Sequence, residues 1–131
     1  MFMLNELLIK DLSDKVDTNT SDIQDIKDAE VYSINEVKTN KIWIDGKPIY
    51  RKVINFGNLP NTTEKKVAHG LDTNICKIVN VSPIASNSSI TISNGFNDEV
   101  YINGSNITWN TKSNRSTYTG YITLEYIKTT D

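Results

Sequence analysis

His69 is the single histidine of the chain and Cys76 its single cysteine. A Ser–His–Asp or Cys–His machine needs an imidazole to take the nucleophile's proton, so it must use His69. The two residues stand seven positions apart across an expected loop, which makes proximity conceivable. Their surroundings favour a plainer reading. Ala68-His69-Gly70-Leu71 reads as a turn in which Gly70 supplies a special backbone conformation. Cys76 sits in the apolar run Ile75-Cys76-Lys77-Ile78-Val79, the setting of a small buried side chain. A metal held by His69 and its symmetry mates in an oligomer has no second histidine to support it. Asp98-Glu99 looks like an acid/base pair, but adjacent strand residues point to opposite faces and do not flank one bond. A solvated turn after Gly95-Phe96-Asn97 accounts for them. No Walker loop, dinucleotide fingerprint, zinc spacing or calcium loop is present. The expectation is a protein that is not an enzyme, with no catalytic residues, no cofactor and no metal.

Recognition without turnover is a separate matter. Trp43, Trp109, Tyr101 and Tyr118 are amphipathic rings of the kind that stack on sugars, although packing claims most such rings. The turn residues Asn103, Asn106 and Asn114, with Trp109, form the candidate ligand rim, because exposed loops carry binding groups. Asn-X-Ser/Thr triplets such as Asn61-Thr62-Thr63, Asn80-Val81-Ser82 and Asn106-Ile107-Thr108 would accept glycans in a secreted eukaryotic protein. Without an export signal they follow from the richness in Asn, Thr and Ser.

The elements that position these residues come in two styles. Residues 1–30 hold no Gly or Pro and are rich in Asp, Lys, Leu and Ile, whereas beyond residue 40 Asn, Thr, Ser, Ile and Tyr dominate. With 14 Lys+Arg against 16 Asp+Glu, no basic excess draws the chain to nucleic acid or to anionic lipid. The apolar start, Met1 to Ile9, lacks a basic n-region and a cleavage site, and is too short to span a membrane. Neither Sec export nor membrane insertion is expected. A lone cysteine also excludes an internal disulfide framework.

In the first segment a heptad register with Phe2 at position a places Phe2, Asn5, Ile9, Leu12, Val16, Asn19, Ile23 and Ile26 at a and d. The alternating three-four spacing is the seam of a left-handed coiled coil. Ile26 at d, with β-branched residues at a, disfavours a parallel dimer and shifts preference to trimers or tetramers. Asn19 would set a polar ring on the axis and fix register, and Asp22 at g would face Lys27 at the following e of a parallel neighbour. The competing reading is an amphipathic helix packed on its own domain, which usually shows a wider apolar face. Leu4, Leu7 and Leu8 fall outside the seam and make the tip apolar around much of its circumference. That pattern marks either a docking site for another protein or a local splay that buries the leucines between chains.

The second segment reads as short strands separated by turns. Asp45-Gly46, between Ile42-Trp43-Ile44 and the run from Lys47 to Ile54, is a two-residue hairpin signal of type I′, with Pro48 suggesting an edge position. Further strands are expected over 65–68, 75–81, 88–93, 100–102 and 107–109, with Asn103-Gly104 as a second hairpin signal. The longest is expected over 118–128. The fold class is mainly β with an N-terminal helix: a parallel trimeric coiled-coil stalk over 1–31, a linker over 32–40, and an antiparallel, jelly-roll-like β-sandwich head over 41–131.

The run Ile42-Trp43-Ile44-Asp45-Gly46-Lys47-Pro48-Ile49-Tyr50-Arg51-Lys52-Val53-Ile54-Asn55-Phe56-Gly57, followed by Leu59-Pro60-Asn61 and Val67-Ala68-His69-Gly70-Leu71, resembles the head domain of bacteriophage tail-fibre and minor structural proteins. Such domains are frequent in phages of gut Bacteroidetes, including crAss-like phages. The resemblance runs from residue 32 to residue 127 and is specific only in its first block. It implies a virion surface protein, assembled in the bacterial host cytoplasm, anchored to other virion proteins of capsid or tail and displaying its head for host attachment. A head-domain fibre usually ends a longer stalk. The short helix here departs from that and suits a short fibre, including one projecting from the capsid, or a piece of a longer one. The partners so implied are a homotrimer, capsid or tail proteins at the N-terminal tip, and a host surface glycan. A receptor- or glycan-binding module is the alternative function, and a hydrolase of surface polysaccharide a third.

Overall fold

The structure is a computed structural model that describes residues 2–93 and 97–131, with the backbone alone for Phe2. The chain divides into two compact units, Met1–Val31 and Tyr32–Asp131.

The first unit is helix α1, Phe2–Ala29. Its 28 residues extend about 42 Å at 1.5 Å per residue. The absence of Gly and Pro permits an unbroken ladder, and local pairs support it. Asp11 and Lys15 lie 3.3 Å apart at i,i+4, and Gln24 Nε2 donates to Asp28 Oδ1 at 2.9 Å. The final turn tightens as Glu30 N–H donates to Lys27 O and Val31 N–H to Asp28 O. Ile9, Leu12, Val16, Ile23 and Ile26 are each more than half exposed, as are Leu4, Leu7 and Leu8. The Phe2 side chain lies outside the described residues.

The second unit is two antiparallel sheets. The strands are β1 Val37–Ile42, β2 Pro48–Asn58, β3 Glu64–Ala68, β4 Cys76–Ser86, β5 Thr91–Ser93, β6 Glu99–Asn103, β7 Asn106–Asn110 and β8 Thr119–Lys128. One sheet has the order β1-β2-β8-β4-β5, the other β3-β7-β6. Pairing is nested: β2 joins β8 in the larger sheet while the next strand inward, β3, joins β7 in the smaller. The result is sandwich-like. Along β8, Gly120, Ile122, Leu124 and Tyr126 face the core while Tyr121, Thr123 and Glu125 face outward, the period of two expected of a strand with one buried face. Tyr50, Ile54 and Phe56 of β2 join them, and Ile107 and Trp109 of β7 belong to the same cluster.

Several expectations need correction. Residues 32–40, expected as a linker, fall within the second unit. β1 begins at Val37, Ser33 O accepts from Val53 N–H at 2.8 Å, and Arg51 lies 4.1 Å over the Tyr32 ring. Trp43 and Ile44 are not strand residues. Gly46 N–H donates to Trp43 O and Trp43 N–H to Lys47 O, so the loop has three residues, and only Gly46, at φ 85°, takes the left-handed conformation. That is a type I turn closed by a glycine bulge rather than a type I′ turn. The second hairpin turns at Gly104-Ser105, because Asn103 pairs with Asn106. Gly104 at φ 60° in the first central position gives type II′. β8 is one residue shorter than β2 and β4, which have 11 each. Pro48 opens β2 ahead of the β8 pairing, which starts at Tyr50, so its missing N–H breaks no ladder bond there.

Gly120 lies in tight packing against the core. A Cβ there would lie 3.0 Å from Leu59 Cδ2 and 3.1 Å from Trp109 Cζ3. Gly120→Val is expected to lower stability by about 1–3 kcal/mol through overpacking, with Gly120→Ala at the low end. Urea denaturation checks this, and unchanged stability in the valine variant contradicts the packing described.

Candidate functional site

His69 is 1% exposed and both of its ring nitrogens are committed to backbone. Leu71 N–H donates to Nδ1 at 3.0 Å, which requires a lone pair there. Nε2–H therefore donates to Gly104 O at 2.8 Å. The His69 backbone is held too: its N–H donates to Ser105 O at 3.0 Å, and Lys52 Nζ donates to its carbonyl at 3.1 Å. The imidazole is a bracket that ties the β3–β4 loop to the β6–β7 turn. Neither nitrogen is left to take a proton from Cys76. Burial pushes the Cys76 thiol up, away from the thiolate a nucleophile needs.

Beside this bracket opens an apolar pocket of about 360 Å³. Strand β4 lines it with Cys76, Ile78 and Val81, and β6 contributes Ile102. Leu71 and Thr73 close it from the β3–β4 loop. It lies between β4 of the larger sheet and β6 of the smaller one.

The remaining site candidates are dispersed. Trp109 is fully buried in the core and cannot present its ring to a ligand, which corrects its place on the rim. Asn103 ends β6 and pairs with Asn106, which opens β7, whereas Asn114 follows the end of β7 and bridges to Asn61. The five residues of β7 separate them by about 13 Å, so the three asparagines do not share one rim. Asn114 Oδ1 is occupied by Ser116 N–H at 3.0 Å. Tyr118 is buried, and Tyr101 is partly exposed on the outer face of β6.

Asp98 is not part of a solvated turn, and Gly95 and Phe96 of that expected turn lie outside the described residues. The Asp98 side chain is 0% exposed. Its Oδ2 accepts from Trp109 Nε1 and Arg115 Nε, both at 3.2 Å, and its Oδ1 from Lys112 N–H at 3.0 Å. Glu99 is exposed and lies 3.4 Å from Lys112 Nζ. The two carboxylates thus take separate structural roles. Among the described residues no three His, Cys, Asp or Glu side chains gather in a way that could hold a metal. Nor is any helix among them long and apolar enough to cross a membrane.

A polar network escaped sequence reasoning. Tyr126 OH donates to Glu36 Oε1 at 2.6 Å, and Lys128 Nζ meets Glu36 Oε2 at 2.8 Å. Lys128 also lies 4.3 Å over the Tyr50 ring, which stacks on Tyr126 at 5.9 Å. Ninety residues separate Glu36 from Tyr126, so no local pattern announces the contact. Burial would push the Glu36 carboxyl up, but the hydrogen bonds from Lys128 and Tyr126 outweigh it and hold it below the usual range. Burial would likewise raise Glu125, yet hydrogen bonds from Asn80 and Lys41 hold it down. Carboxylates lowered by folding stabilise above their unfolded values and lose that contribution as pH falls through the folded ones. Stability is therefore expected to drop on acidification below about pH 4. Tyr126→Phe is expected to cost about 1–2 kcal/mol at pH 7 and to shrink this acid limb, because Glu36 loses one donor. Urea midpoints at pH 7 and pH 3 test both points; an acid limb unchanged in the variant contradicts the role given to Tyr126.

The geometry defines a two-sheet, sandwich-like β protein with an N-terminal helix. Compared with protein-family models, curated proteins and solved structures, the chain finds no match.

Proposed function

We propose that this chain is a structural fibre protein of a bacteriophage virion. Three copies wind in parallel through the α1 seam, the N-terminal tip docks on another virion protein, and jelly-roll-like heads are displayed for surface attachment. The observation that carries this reading is the seam itself. Ile9, Leu12, Val16, Ile23 and Ile26 lie at a and d positions, with Asn19 at the d between Val16 and Ile23, and the five are 52–68% exposed in the single chain. Most helical stability in proteins comes from packing of an apolar face, and an apolar stripe of two positions in seven fits identical neighbours. Ile26 at d favours three or four strands over two. The nested pairing of β2 with β8 and β3 with β7 supports the jelly-roll-like description of the head. Attachment by three weak sites gains from avidity, which suits display without turnover.

Light scattering after size exclusion tests the oligomer. A mass about three times 14.8 kDa is expected, falling to one chain in Val16→Asp/Ile23→Asp. A monomeric native chain overturns the stalk. Immunogold labelling of purified virions tests the location, and virions that carry no label overturn it.

A further inference from the structure

We propose that the pocket beside His69 is a binding site for a small, uncharged, largely apolar molecule of two to three aromatic rings. Its volume, about 360 Å³, falls in the range of small-ligand sites and well above that of a one-ring cavity. Its walls are the side chains of Leu71, Ile78, Val81 and Ile102, and among the described residues no charged side chain lines it. A charged ligand entering it would give up hydration with nothing to replace it. The His69 ring offers no free donor or acceptor, since both nitrogens bond to backbone. The polar side-chain groups left to orient a ligand are the Thr73 hydroxyl and the Cys76 thiol. The His69 bracket gives the site a preformed wall, because it holds the β3–β4 loop against Gly104 through a bond that needs no ligand. This assignment is independent of the fibre reading.

The probe is N-phenyl-1-naphthylamine, an uncharged dye that brightens in apolar surroundings. With the full chain, fluorescence is expected to saturate near one dye per chain. Val81→Phe, which fills the pocket, is expected to weaken binding about tenfold or more. A Leu4→Ser/Leu7→Ser/Leu8→Ser variant, which strips the apolar helix tip, is expected to bind as the native chain does. A second measurement uses the unaltered protein: saturating dye is expected to slow alkylation of Cys76 by N-ethylmaleimide severalfold. The proposal is overturned by fluorescence that does not saturate, by loss of binding in the leucine variant instead, or by a Cys76 rate indifferent to the dye. If Val81→Phe does not fold, the alkylation rate of the native chain decides.

Discussion

Asp98→Ala is expected to destabilise the β unit by about 3–5 kcal/mol, the range for breaking a buried charge pair by removing one partner. The carboxylate is wholly buried and accepts from three donors on two successive segments: the Trp109 ring in β7, the Lys112 backbone and the Arg115 guanidinium. Removing it strips the acceptor from a fully buried indole N–H and takes the counter-charge from Arg115, whose side chain is only 13% exposed. It also unties the segment after β7, which carries Thr111 to its contacts with Thr63 and Pro60. Asp98→Asn keeps the shape and one oxygen, so its loss should be smaller, about 1–3 kcal/mol. For a unit of this size a 3 kcal/mol loss lowers Tm by more than about 10 °C. A thermal melt that moves by only a degree or two in the alanine variant would show that the three hydrogen bonds contribute little net stability.

Trp109→Ala is expected to cost about 3–5 kcal/mol for a different reason, the cavity left by the largest fully buried side chain. The indole packs on Phe56 with ring centroids 5.6 Å apart and fills the space above Gly120, where no side chain can substitute for it. Trp109→Phe separates packing from hydrogen bonding. It retains most of the aromatic volume but removes the Nε1–H donor from Asp98, so an intermediate loss is expected. A double-mutant cycle between Asp98→Ala and Trp109→Phe should give a coupling of about 0.5–3 kcal/mol, because the two share one hydrogen bond. Strict additivity would contradict the contact. The chain has two tryptophans, and Trp43 lies in the first hairpin loop, so emission from Trp109 can be followed in Trp43→Phe.

The local periodicities were legible without coordinates. A three-four spacing of apolar residues in a segment free of Gly and Pro specified α1, since helix geometry repeats every 3.6 residues and needs no distant partner. Alternation of apolar and polar residues likewise located strands such as β7 and β8, and Gly46 and Gly104 placed both hairpins near their observed turns. What the tertiary structure decided is which distant segments meet. Turn type changed by one residue in each hairpin, because strand register is set by pairing across the whole ladder. Glu36 joins Tyr126, and Asp98 joins Trp109 and Arg115, through sheet order rather than sequence proximity. Trp109 looks as fit for a sugar as for a core, and only its position on the inner face of β7 assigns it to the core. The pocket beside His69 is lined from β4 of one sheet, β6 of the other and the β3–β4 loop, which only the fold brings together. No local pattern announces it, because it forms where two separately paired sheets close on one core.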